Sequence, residues 1–185
     1  MQLALAPFPA SRCDAFACAH LLSARDLSLR AATTQDLPFM RKLYGLLRAD
    51  ELNQVAWPEA VRQPFLDSQF SLQHHHFVTH YARADFYVVQ HQGTDAGRLY
   101  LLREPPYFHI IEIALLPAYR GGGLGSILLA WVKALAAENS ADGIDLHVDQ
   151  RNPDAQRLYA RQGFAVTHRE GPYIGMRWIR NAQLS

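Results

Sequence analysis

Residues Leu115 to Ser126 carry the clearest chemistry in the chain: Leu-Leu-Pro-Ala-Tyr-Arg-Gly-Gly-Gly-Leu-Gly-Ser. An apolar run, Ile110-Ile111-Glu112-Ile113-Ala114-Leu115, leads through Pro117 into three consecutive glycines. Leu124, Ile127, Leu128, Trp131, Val132 and Leu135 then recur at three- and four-residue spacing, which predicts an amphipathic helix starting at once. A glycine turn between a strand and a helix presents backbone N–H groups that have no helical carbonyl to bond. Their partial positive charge suits an anion, most often a phosphate or pyrophosphate.

Two common phosphate binders fit poorly. No Gly-Lys-Ser/Thr follows the glycines, which excludes a Walker-type loop. A dinucleotide fingerprint would accept Gly121 and Gly123, but Ser126 occupies the place of its third glycine. Asp142 and Asp145 lie before or at the start of the next strand, whereas a ribose-binding acid belongs at that strand's far end.

The elements that must position this turn can be read from the pattern. Leu27 to Ala31 alternates as a strand, and Thr33 to Asp36 resembles a capping box before a helix bearing Leu37, Met40, Leu43, Tyr44 and Leu47. Residues 50–58 read as a loop or break, and a second helical stretch with Val61, Phe65, Leu66 and Phe70 is interrupted by Pro64. Phe86–Val89 and Arg98–Leu102 flank a turn containing Gly93 and Gly97, predicting a hairpin. A strand at 108–115, a helix at 123–138 ended by Gly143, and a strand at 144–148 follow. Asn152-Pro153-Asp154 reads as a helix start, with Asn152 as N-cap, and Gly163 as a left-handed C-terminal cap. Phe164–His168 and Tyr173–Trp178 form a closing hairpin around Gly171-Pro172. The order β-α-α-β-β-β-α-β-α-β-β predicts a mixed α/β (α+β) sheet with one parallel crossover. Residues 1–25 are expected to form an arm, 26–180 a single domain and 181–185 a tail.

Composition narrows the partners. The 185 residues are 49% hydrophobic and 19% charged, with a formal net charge of +1 and no Lys/Arg run, so no nucleic-acid partner is expected. No stretch of about twenty apolar residues predicts a membrane span. The first nine residues lack a basic start and contain two prolines, which argues against a signal peptide. Two cysteines, Cys13 and Cys18, cannot build a disulfide framework, and a cytoplasmic location is expected. His74, His75, His76 and His80 invite a metal reading. They lack a nearby cysteine or a helical ligand pair with a carboxylate, so a solvated helix end and no metal site are expected.

Arg120-Gly121-Gly122-Gly123-Leu124-Gly125 satisfies Arg/Gln-x-x-Gly-x-Gly/Ala, and in this it resembles the acyl-CoA pyrophosphate motif of the GNAT N-acetyltransferase superfamily. Downstream, Val148, Asn152, Ala155, Leu158, Tyr159, Gly163 and Phe164 are similar to the family's next block, at the matching distance. The resemblance spans residues 27–179. It implies the GNAT fold: a central sheet of about six to seven strands, a splayed parallel pair and about four helices.

The resemblance further implies an acetyl-CoA cosubstrate lying in the wedge between the parallel strands. Backbone groups of Ile113 and Leu115 would pair with the pantetheine arm, and Arg120, Gly121, Gly122, Gly123, Leu124, Gly125 and Ser126 would hold the pyrophosphate. Asn152 would touch the pantetheine, competing with its capping duty, because an amide has one carbonyl and one NH2. Tyr159 matches the family tyrosine beside the thioester sulfur, a general acid for the departing thiolate. Deprotonating the attacking amine calls for a base; Glu112 is the first candidate, with His147 and Asp149 behind it. A backbone N–H near Leu115 would polarise the thioester oxygen.

The acceptor is expected to be a small-molecule or peptide amine. Its determinants would lie in residues 45–80, 104–107 and 169–173, with Trp57, Tyr107 and Tyr173 as pocket aromatics and Asp50, Glu51 and Glu59 as attractants for a cationic amine. Homodimers are common in the family, and no residue here fixes an interface. A catalytically silent acyl-CoA sensor with the same fold is the alternative to an enzyme.

Overall fold

The computed structural model describes residues 5–10, 12, 17–53 and 57–180. Seven strands form one sheet in the order β1-β2-β3-β4-β5-β7-β6: β1 (Leu27–Ala31), β2 (Asp85–His91), β3 (Thr94–Leu102), β4 (Tyr107–Leu115), β5 (Gly143–Asp149), β6 (Ala165–Glu170) and β7 (Tyr173–Ile179). Five helices accompany it: α1 (His20–Ser23), α2 (Leu37–Asn53), α3 (Glu59–His80), α4 (Leu124–Glu138) and α5 (Pro153–Arg161). Among the described residues, no helix is long and apolar enough to cross a membrane.

The sheet divides two cores. On one face Phe108, Ile110 and Leu115 of β4 and Ile144, Leu146 and Val148 of β5 pack with Leu128, Leu129, Trp131, Val132 and Leu135 of α4 and Tyr159 of α5. On the other, Val88 of β2 and Tyr100 of β3 meet Met40 and Tyr44 of α2 and Phe70 of α3. Period-two alternation along the strands delivers one set of side chains to each core.

Every neighbouring pair is antiparallel except β4 and β5. That pair runs in register from Tyr107 with Gly143 to Ile110 with Leu146, and there it stops. β4 continues to Leu115 and β5 to Asp149, so the two strands diverge beyond this point. The cause lies in β4 itself. Tyr100 faces Glu112 and Leu101 faces Ile110, which leaves Ile111 as an extra residue in the β3–β4 ladder. A bulge bends the strand that carries it. Here it turns β4 away from β5 at the residue following their last pairing.

Several local expectations change. α2 continues to Asn53, through the first part of the expected loop, and α3 passes Pro64 without a break. Pro64 sits in the second turn of α3, where the missing N–H costs one hydrogen bond close to the helix start. Gly97 is not in the hairpin turn, which is made by Gln92 and Gly93 at φ 51° and 75°. It lies inside β3, where a Cβ would come within 2.2 Å of the Ala114 carbonyl oxygen. Gly143 opens β5 rather than ending α4, and a Cβ there would strike the Trp178 carbonyl oxygen at 2.1 Å. His74 is buried rather than solvated, with Nε2 2.7 Å from the Ala6 carbonyl oxygen, while His75, His76 and His80 are exposed. The arm expected at 1–25 contains a 3-10 turn (Ala17–Ala19) and α1, which pack on α4 through Cys18 and Leu22 respectively; Cys13 lies outside the described residues.

Candidate active site

The glycine turn leaves β4 through Pro117–Tyr119, a single turn of 3-10 helix, and enters α4 at Leu124. Gly121 and Gly123 take φ of 78° and 84°, conformations that side-chain-bearing residues adopt only at a cost. Among the described residues, nothing lies within 4 Å of a Cβ built on Gly121, Gly122 or Gly123, so the mouth of the turn is open. Leu124 is buried and anchors α4, whereas Gly125 permits close packing, its would-be Cβ lying 3.1 Å from Leu158 of α5. Ser126 is half-buried in the first helical turn. The first N–H groups of α4 therefore face an unobstructed concavity with the helix dipole behind them. Beside it a cavity of about 340 Å³ is lined by Arg25, His91, Tyr119, Arg120 and Gly122. Arg120 is itself tied back to its strand, donating from Nε to the Leu115 carbonyl at 2.9 Å.

The open edge of β4 offers hydrogen bonds of its own. The Leu116 N–H bonds to the Ala96 carbonyl on the β3 side. Antiparallel alternation then directs the backbone groups of Leu115 and Ile113 to the opposite edge, into the wedge. Among the described residues, no strand covers that edge beyond Ile110.

On the β5 side, the chain turns at Asp149–Arg151 into α5. Asn152 caps that helix by accepting from the Ala155 N–H at 3.1 Å through its side-chain oxygen. The two duties expected of Asn152 thus separate, since the NH2 group remains to donate. Gly163, at φ 81°, closes the helix end, and Lys133 of α4 donates to the Gln162 carbonyl beside it. α5 is thereby held against α4, with Tyr159 buried and facing the sheet.

Tyr159 lies within electrostatic reach of Glu112. Burial raises the Tyr159 phenol well above its ordinary pKa, and the Glu112 charge raises it further, so the hydroxyl keeps its proton. Glu112 is bound to Arg98, whose Nη2 donates to Glu112 Oε1 at 3.1 Å and to Gln73 Oε1 at 3.0 Å. The Arg98 side chain is only 2% exposed. Burial works against that cation; the Glu112 charge and, with it, Tyr100 and the hydrogen bonds to both together outweigh that penalty, so Arg98 remains ionised.

Asp149 stands at the open end of the wedge. Hydrogen bonds from the Arg151 side chain lead in lowering its pKa, against partial burial, with Arg48 of α2 contributing more weakly. Sequence reasoning missed Arg98, Gln73 and Arg48. Arg98 alone had a detectable signal, a charge inside an otherwise apolar strand. The three expected pocket aromatics have separate surroundings. Trp57 packs edge-on against Phe65, Tyr107 lies 4.0 Å beneath the Arg177 guanidinium, and Tyr173 is exposed opposite Asp149. The side chains of Asp50, Glu51 and Glu59 lie outside the described residues. Among the described residues, no group of three or more His, Cys, Asp or Glu side chains is arranged to hold a metal ion.

Known proteins share this fold. The chain is similar to PaiA N-acetyltransferase from Thermoplasma acidophilum in complex with coenzyme A, with a TM-score of 0.65 and 15% identity over 83% of this chain and 99% of that one. An acetyltransferase from Thermus thermophilus gives a TM-score of 0.63 and 16% identity over 83% and 97%. These two likenesses concern the fold. In sequence, an aminoalkylphosphonate N-acetyltransferase of Salmonella typhimurium is 29% identical over 146 residues, 76% of this chain and 86% of that protein. The Acetyltransferase (GNAT) family model matches residues 46–164, most of the domain from α2 through the wedge to the end of α5. With its strands parted above an open helix mouth and this match covering well over half its length, the chain belongs to the GNAT acetyltransferase family and is an N-acetyltransferase.

Proposed function

We propose that the protein transfers the acetyl group of acetyl-CoA to a primary amine by direct attack, with both substrates bound at once. One observation carries this reading: the parallel pairing ends at Ile110 and Leu146, and the widening gap leads to an open glycine turn at the start of α4. The pyrophosphate would sit on the N–H groups of residues 120–126. The pantetheine would run back along β4, bonding the exposed backbone of Leu115 and Ile113 as an added strand does, and receiving the NH2 group of Asn152. From Leu115 to Ile110 is about 16 Å of strand. The thioester then lies near the apex of the wedge, between Glu112 and Tyr159.

Tyr159, protonated throughout the working range, gives its proton to the departing thiolate. Glu112 works as a fixed anion that draws in the substrate ammonium and orders water around it. Taking a proton itself would leave Arg98 buried without a counter-charge, which is costly. A backbone N–H of β4 near Leu115 polarises the thioester carbonyl.

For the acceptor we favour a small amine that also carries an anionic group. The Salmonella relative is named for aminoalkylphosphonates, and in this chain Arg48 and Arg151 flank Asp149 at the open end of the wedge. Thiol release from acetyl-CoA should be followed with 2-aminoethylphosphonate, spermidine, free amino acids and short peptides as acceptors. Amine-dependent release, fastest with the phosphonate, is the expected result. Release with spermidine or peptides alone would discard the anionic acceptor. Tight coenzyme A binding with silence across the whole panel would replace the enzyme reading by that of an acyl-CoA sensor.

A further inference from the structure

A row of imidazole rings crosses the sheet at the apex of the wedge. His109 is the β4 residue just before the last parallel pairing, and His147 is the first β5 residue past it. Both lie on the face that also bears Glu112, because Phe108 and Ile110 of β4, and Leu146 and Val148 of β5, point into the opposite core. The centroids of His109 and His147 are 5.5 Å apart, and those of His147 and His168 of β6 are 5.4 Å apart. Gly175 of β7 lies between the last two in register, opposite both. A Cβ on Gly175 would come within 2.1 Å of the His168 ring, so the missing side chain makes room for the row. His109 is half-buried; His147 and His168 are exposed. The row therefore leads from the apex of the wedge to solvent.

Acetyl transfer to an ammonium requires such a path. RNH3+ and acetyl-CoA give the amide, free thiol and one proton. Two protons leave nitrogen: one before attack, to free the lone pair, and one as the amide forms. The second is balanced by the departing thiolate, which Tyr159 protonates before recovering a proton from the nitrogen. The first must reach bulk water.

We propose that His109 accepts this first proton, directly or through one water, and that His147 passes it to solvent. The inference rests on the amine-acetylation reading above. The groups that face His109 are Tyr81 after α3, stacked at 6.2 Å, His147 and Asp145 of β5, and, beyond Asp145, Arg177 of β7. Arg177 engages both Asp145 oxygens, at 2.6 and 3.0 Å, so that carboxylate is already committed. Burial lowers the His109 pKa, and the neighbouring His147 lowers it further, while Asp145 opposes them. The ring is thus neutral and able to accept a proton at pH 7, and an acquired proton is readily passed on.

The test uses the full chain with acetyl-CoA and the fastest acceptor of the panel, 2-aminoethylphosphonate first. For the wild type, kcat/KM should rise with pH along a limb below the ordinary histidine range and then level off. His109→Gln should abolish that limb and lower kcat/KM at pH 7 by about a hundredfold. His147→Ala should lower kcat by about tenfold, with recovery in imidazole buffer and none in an equal concentration of glycerol. Stabilisation by coenzyme A in thermal melts verifies that each variant is folded. If His109→Gln does not fold, the imidazole rescue of His147→Ala decides. Folded His109 and His147 variants with unchanged limbs and rates within about threefold of wild type would overturn the relay while leaving acetyl transfer intact. A wild type that binds coenzyme A yet acetylates none of the panel would remove both.

Discussion

Arg98 and Glu112 occupy adjacent strands and meet on the face of the sheet opposite α4, with 3.1 Å between Nη2 and Oε1. The cation is almost fully enclosed and its counter-charge stands on β4 just past the last β4–β5 pairing, so the pair links the interior of the fold to the wedge. Among the described residues Arg98 Nε has no hydrogen-bond partner, so the guanidinium leans on Glu112 and Gln73 and on the Tyr100 ring beneath it. Glu112→Gln keeps a hydrogen-bond acceptor but removes the charge. It should cost about 1–3 kcal/mol of stability in urea unfolding and lower kcat more than it raises KM for acetyl-CoA. A variant as stable as the wild type would show that water, rather than Glu112, compensates Arg98.

The glycine turn separates backbone strain from anion access. Gly123→Ala places a methyl-bearing residue at φ 84° and should destabilise the protein by about 1–2 kcal/mol. Gly122 lies in open space without a positive φ, so Gly122→Ala should change stability by less than about 0.5 kcal/mol. Both should weaken coenzyme A binding in titration calorimetry. Unchanged affinity in both variants would move the pyrophosphate seat elsewhere.

Tyr159→Phe should lower kcat by about tenfold or more with little change in KM for acetyl-CoA, since the lost proton donor matters only as the thiolate departs. The raised pKa of the phenol has a further consequence. Wild-type kcat should show no decline from tyrosine ionisation up to about pH 10, the ordinary phenol value. A decline there that is absent from the Phe variant would contradict the buried, protonated phenol.

His74 makes folding depend on pH. Burial lowers its pKa below the ordinary 6.5, against the opposing hydrogen bond to Ala6. The unfolded chain therefore binds the proton more readily than the folded one. Its contribution to stability is complete above about pH 6.5 and is lost as pH falls toward the folded-state pKa. Urea midpoints should drop as the pH falls below about 6.5, and His74→Gln should flatten that drop. A slope unchanged in the variant would assign it to other groups.

Much of the site was legible in the residues. The glycines of 121–125 and the Asn152-Pro153 helix start are local devices, set by positive φ, missing side chains and a capping oxygen, so their geometry follows from neighbours in the chain. The apolar run from Ile110 to Leu115, and the helical period from Leu124 to Leu135, predicted β4 and α4 to within a residue or so at their ends. Pro64 misled because a proline near a helix start signals a break more strongly than it causes one. His74 misled because a histidine run gives no sign of which ring faces the core.

By itself, then, the sequence determined most of the elements, their order, the glycine turn and the family. The tertiary structure decided where β4 and β5 part, that a buried arginine claims Glu112, and that three histidines from β4, β5 and β6 form one row. The physical reason is range. Turns, caps and periodicity act within a few residues, whereas a bulge against β3, a counter-charge fourteen residues away and rings meeting over Gly175 exist only once the strands have paired.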